Sequence, residues 1–112
     1  MTYLDAFKSG NLVLPSDLLL NYNQLFSSSD DFLIWQFFYL QNTTALGELS
    51  PSQIAEKIGK EVTEVNQAIS RLTEKGLLQY RTIELNGEIE VIFDATLALE
   101  RLDQLFEKQA PN

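Results

Sequence analysis

The chain contains no cysteine and no histidine. Their absence removes disulfides, thiolate nucleophiles, zinc sites of the Cys/His type and imidazole acid–base chemistry together. Basic residues are scarce. Eight Lys and Arg stand against sixteen Asp and Glu, for a formal charge of −8 and a pI near 4.3. A domain that grips DNA ordinarily shows the reverse balance, a basic face that releases counterions from phosphates. Long apolar runs are also missing. The longest, FLIWQFFYL at Phe32–Leu40, is about half the ~20 residues a membrane helix needs. The opening MTYLDAFKSG has no basic stretch before an apolar run, so no secretory signal is expected. These absences predict a soluble cytoplasmic protein with no membrane partner.

Candidate chemistry is equally thin. Gly10, Gly47, Gly59, Gly76 and Gly87 fall singly at expected element ends and form no phosphate-binding loop. Asp30-Asp31 is the single adjacent pair of acids flanked by loop residues, and neighbours at a helix start point apart, so they read as helix-capping groups rather than a catalytic dyad. No oxygen-ligand spacing for a hard cation appears. Trp35, Phe37, Phe38 and Tyr39 at helical spacing read as core rather than a ligand pocket. No enzyme and no cofactor are expected.

What is present is a chain of 112 residues, 45% of them hydrophobic, enough for one domain with a modest core. Its most informative stretch is SPSQIAEKIGKEVTEVNQAISRLTEKGLLQY, Ser50 to Tyr80. Ser50 as N-cap, Pro51 at the first helical position and Gln53 at the capping-box position open a helix. Ile54, Ala55 and Ile58 face inward and Gly59 makes the turn. A second helix, about Val62 to Lys75, buries Val62, Val65, Ile69 and Leu72, and Gly76 ends it. Leu77–Leu85 and Glu88–Asp94 then form strands joined by Asn86-Gly87, the strongest two-residue hairpin signal. That turn sets Tyr80 opposite Phe93, Thr82 opposite Val91 and Ile83 opposite Glu90. The pattern predicts a winged helix-turn-helix, mainly α with a small β-hairpin.

The remaining elements follow from periodicity and punctuation. Tyr3, Leu4 and Phe7 share one side of a short helix ended by Lys8-Ser9-Gly10, and Asn11–Leu14 reads as a short strand stopped by Pro15. Ser16-Asp17 start a helix with Leu18, Leu19, Tyr22, Leu25 and Phe26 on its buried side. After the Ser27–Asp31 cap region comes a central buried helix, about Asp31 to Gln41, closed by Asn42-Thr43-Thr44 and Gly47. A last helix, about Thr96 to Lys108, carries Ala98, Leu99, Leu102, Leu105 and Phe106 on one stripe. One domain over residues 1–108 is expected: an arm at 1–26, the helix-turn-helix and wing at 50–94, and the last helix at 96–108. Residues 109–112 read as the start of a linker.

A winged helix usually means DNA, so the outward face decides. At about 100° per residue Gln67 centres that face of the second helix, with Thr63, Glu64, Ser70, Arg71 and Glu74 around it. Lys57, Lys60, Gln67, Ser70, Arg71, Lys75 and Arg81 are the candidate contacts to DNA or to a partner. Glu64 and Glu74 flank them and repel phosphates. From Leu77 to Asp94 the wing has Arg81 alone against Glu84, Glu88, Glu90 and Asp94. The balance favours the fold as a scaffold. A dimeric DNA-binding regulator, with Gln67 and Arg71 reading bases and Arg81 on a phosphate, is the alternative.

The arm is not needed by the motif. A lone strand leaves backbone groups unpaired unless it meets the hairpin or the same strand of a second copy. Leu12, Val13, Leu14, Leu18 and Leu19 are therefore candidates for an oligomer contact.

The order NLVLPSDLLLNYNQL, SSDDFLIWQFFYLQ, then SPSQIAEKIG…EVNQAISRLTEKGLLQY and a final amphipathic helix resembles the amino-terminal domain of DnaD, a family of primosomal replication-initiation proteins. The likeness covers nearly the whole chain, and its more specific part is the arm, Leu14-Pro15 leading into Leu18–Tyr22. The resemblance implies a winged helix whose helix-strand-helix arm self-associates into a homodimer or higher homo-oligomer. It also implies a role with replication-initiation and helicase-loading proteins, with DNA bound mainly by a separate carboxy-terminal domain outside these 112 residues.

Overall fold

The computed structural model describes residues 10–44 and 49–109, so the expected first helix at Tyr3–Phe7, the Gly47 loop and the end of the tail lie outside the described residues. Within them the chain is mainly helical, with one small antiparallel sheet. The elements are α1 (Ser16–Leu20), α2 (Tyr22–Leu25), α3 (Ser29–Thr43), α4 (Pro51–Ile58), α5 (Val62–Glu74), β1 (Gln79–Leu85), β2 (Glu88–Asp94) and α6 (Leu97–Gln109).

The helix starts are set by side chains that replace missing intrahelical partners. Ser28 Oγ accepts from the Asp31 amide at 3.1 Å and caps α3. Ser50 Oγ accepts from the Gln53 amide at 3.2 Å while Gln53 Oε1 accepts from the Ser50 amide at 2.8 Å, the reciprocal box expected there. Helix α4 ends at Gly59, whose φ of +70° is left-handed and open to glycine at little cost. Glu64 Oε2 then accepts from the Glu61 amide at 3.0 Å at the start of α5.

Helix α3 is the centre of the core. Trp35 has no exposed surface, and Phe32, Ile34, Phe38 and Tyr39 are buried with it. Ile54 and Ala55 of α4, and Val65, Ala68 and Leu72 of α5, close over it, with α5 packed on both α3 and α4. Val62, expected inside, sits at the start of α5 and is 36% exposed. The indole N–H of Trp35 is shared between the Leu77 carbonyl at 3.2 Å and the Ala95 carbonyl at 3.1 Å. One side chain thus holds both roots of the hairpin. Buried Leu77, Leu78, Ala95, Ala98 and Leu102 complete the core. The side chain of Phe106, expected on the same stripe of α6, lies outside the described ones.

The hairpin has the expected register, Tyr80 with Phe93, Thr82 with Val91 and Ile83 with Glu90. Asn86 and Gly87 both have positive φ, +53° and +82°, as a turn matched to strand twist requires.

Two expectations about the arm are corrected. Residues Asn11–Leu14 form no strand among the described residues, and the sheet holds β1 and β2 alone. Pro15 fixes the backbone just after them and donates no amide, which leaves little length for a ladder. The helix expected from Ser16 is broken at Asn21, whose amide and side-chain Nδ2 both donate to the Asp17 carbonyl, at 3.0 and 2.8 Å. That side-chain bond offers the backbone an alternative to continued helix.

Candidate functional site

The outward face of α5 is set by what α5 buries. Val65, Ala68 and Leu72 point into the core, so Thr63, Glu64, Gln67, Ser70, Arg71 and Glu74 stand outside and exposed. The sequence brings those polar residues together as expected. Their chemistry differs from the expectation.

Arg71 is not a free base reader. Its Nε donates to Asp31 Oδ2 at 2.9 Å and its NH2 to Asp31 Oδ1 at 2.7 Å, a two-pronged pair between α5 and the first turn of α3. The Asp31 side chain is 1% exposed and that of Arg71 44%. Hydrogen bonding to Asp31 raises the Arg71 pKa, against a smaller opposing effect of burial and with the help of the Asp31 charge. The reading of Asp31 as a helix-capping acid alone is thereby corrected. Asp31 shares a face with Ile34, Trp35 and Phe38, at spacings of three, four and seven, and a carboxylate on that face needs a buried-side cation.

Most of the other candidate cations are engaged as well. Lys60 Nζ lies 3.2 Å from Asp30 Oδ2. Lys75 Nζ donates to the Leu25 carbonyl at 3.4 Å. Arg81 NH2 lies 3.1 Å from Asp94 Oδ2. Burial pushes the Asp94 carboxyl up, but hydrogen bonds from the Thr96 hydroxyl and amide, with the Arg81 charge, outweigh it and hold Asp94 below the ordinary carboxylate value. Among the described residues Lys57 alone of the candidate cations has no such partner. A shallow hollow of about 170 Å³ between α3 and α5 is lined by Ser28, Asp30, Ile34, Lys60, Glu64, Gln67 and Arg71. Its two cations and two acids leave no net basic character.

The arm candidates divide. Leu18 has no exposed surface and belongs to the core, so it offers nothing to a partner. Leu14 is half-buried against the core. Leu12, Val13 and Leu19 remain outside at 41%, 72% and 59% exposure, and Leu20, which periodicity did not single out, is 73% exposed. Apolar side chains before and after Pro15 are therefore turned to solvent together.

A third feature went unread in the sequence. Asn42, expected only to close its helix, donates from Nδ2 to the Phe93 carbonyl at 3.0 Å and accepts at Oδ1 from the Ala95 amide at 2.7 Å. One amide side chain thus does for the edge of β2 what a third strand would do. Beside it lies a groove of about 580 Å³ between α3, the start of α4 and β2, walled in part by Phe38, Leu49, Pro51 and Val91.

Among the described residues no group of three or more Asp or Glu is placed to hold a metal ion, and no helix is long and apolar enough to cross a membrane. Compared with known proteins, the chain matches no family model and no curated protein.

Proposed function

We propose that this chain is a non-enzymatic scaffold domain, a winged helix-turn-helix with an added arm, that self-associates and works through protein contacts. The observation that carries the reading is a division of the surface. Three of the cations that would meet phosphate, Lys60, Arg71 and Arg81, are tied to acids of the same chain, while Leu12, Val13, Leu19 and Leu20 are apolar and uncovered. The resemblance to the DnaD amino-terminal domain supplies the setting, bacterial replication initiation in the cytoplasm. There the domain brings copies together and recruits helicase-loading proteins, and DNA contact falls mainly to a separate domain.

The arm reading is tested with Val13→Asp. Val13 is 72% exposed, so the substitution leaves the core intact, which circular dichroism verifies. A charge placed in an apolar contact costs far more than the exposed valine contributes to folding. Light scattering should show the wild-type oligomer and a monomeric variant; an unchanged mass would sink the arm as the interface. A labelled random-sequence duplex, followed by anisotropy at low salt, checks the other half. No binding is expected, and saturating binding that collapses with salt would turn the reading toward the DNA-binding regulator.

A further inference from the structure

The hairpin reaches beyond the core in which it is rooted. Tyr80 is paired with Phe93, Thr82 with Val91 and Glu84 with Ile89, and directly opposed residues of an antiparallel pair share a face. At the root of that face Phe93 meets Phe38 edge-on and Tyr80 meets Phe93 edge-on, with ring centroids 5.4 and 5.2 Å apart. Farther out the face is uncovered. Tyr80 is 59% exposed, Val91 43% and Ile89 76%. Single exposed apolar residues are ordinary, but three on one face of a projecting ribbon make a patch.

One end of the patch is acidic, in a chain of formal charge −8. Glu84 stands opposite Ile89 on the same face, whereas Glu88, opposite Leu85, turns to the other one. Arg81, the one cation of the hairpin, faces the other side and is held by Asp94. We infer that this face docks a basic amphipathic α-helix of a partner protein. The inference names the partner chemistry for the docking role proposed above and rests on that reading. Two strands about 4.8 Å apart present a face about as wide as one helix, ~10 Å across. The apolar stripe of such a helix covers Tyr80, Val91 and Ile89, and Lys or Arg at its margin meets Glu84. A second copy of this chain suits that acidic end poorly, because it brings the same acidic excess, a formal −8.

The probe is a labelled peptide of Leu and Lys at helical spacing, with a Leu/Glu peptide of the same pattern as control, both titrated into the full chain by anisotropy. Saturable binding of the Leu/Lys peptide alone is expected. Ile89→Ser with Val91→Ser, which changes no charge, should weaken it by about tenfold or more. Glu84→Gln should weaken it and flatten its salt dependence. Glu88→Gln, an equal change of charge on the opposite face of the same hairpin, should do much less. Equal losses from the two Gln variants would reduce the effect to net charge and overturn the proposal, as would unchanged binding in the Ser pair. A fall in oligomer mass caused by the Ser pair without peptide would assign the face to a second copy instead. The Val13→Asp variant should bind the peptide as the wild type does, so a failure of the arm reading leaves this result standing.

Discussion

Asp31 and Arg71 show what one buried charge does to a surface. A carboxylate at 1% exposure is costly unless a cation and directed hydrogen bonds meet it, and Arg71 supplies both through its fork. The same fork is then withheld from any base edge. Arg71→Leu is predicted to cost about 3 kcal/mol in urea denaturation, the low end for a broken buried pair because the guanidinium is nearly half exposed. Asp31→Asn combined with Arg71→Leu should recover much of that loss, since no uncompensated charge remains. A double-mutant cycle with no coupling would show the pair to be incidental. The position of Asp31 on the apolar face of its helix was readable in the sequence. Its partner was not, because 40 residues separate the two and Arg71 sits equally well on an outward helical face. Leu18 and Leu19 pose the related difficulty at adjacent positions of the short α1: both are leucine, yet Leu18 is buried and Leu19 is exposed.

The elements themselves were more legible than their attachments. Capping chemistry at Ser50–Gln53, the left-handed Gly59 and the Asn86-Gly87 turn are local signals, satisfied by residues three or fewer positions apart. The two helices around Gly59 and the hairpin register followed from them. Ala68 was missed as core because a small residue at a helix crossing carries no strong periodic signal, although it has no exposed surface. Asn42 was missed because its bonds run 51 and 53 residues along the chain, to Phe93 and Ala95. Asn42→Ala removes both bonds and should cost about 2 kcal/mol, near 1 kcal/mol for each. Hydrogen exchange at the β2 amides should accelerate more than at α4 or α5. Uniform acceleration everywhere would mean that the hairpin and the core open as one unit.

For the molecule as a whole, charge sets a background that no single pair offsets. Two of the three ion pairs among the described residues, Lys60–Asp30 and Arg81–Asp94, keep one partner 54% exposed and contribute little. The formal −8 acts on every compact state of the chain. Screening shortens from about 10 Å at 0.1 M salt to about 3 Å at 1 M, so added sodium chloride should relieve repulsion more than it weakens the pairs. The melting temperature should rise by about a few degrees over that range. A falling Tm would show that the surface pairs outweigh the repulsion.

The chain has a single tryptophan, and the structure places it at the junction that these experiments interrogate. Trp35 is fully buried, and its N–H is bonded to the carbonyls of Leu77 and Ala95, one at each end of the hairpin. Indole fluorescence would therefore report on that joint without a label. A hairpin lifting from the body would expose the indole to water and shift its emission to the red, whereas a partner gripping only the far end would leave it unchanged. The protein carries its own optical gauge of whether docking pulls on the fold or merely rests against it.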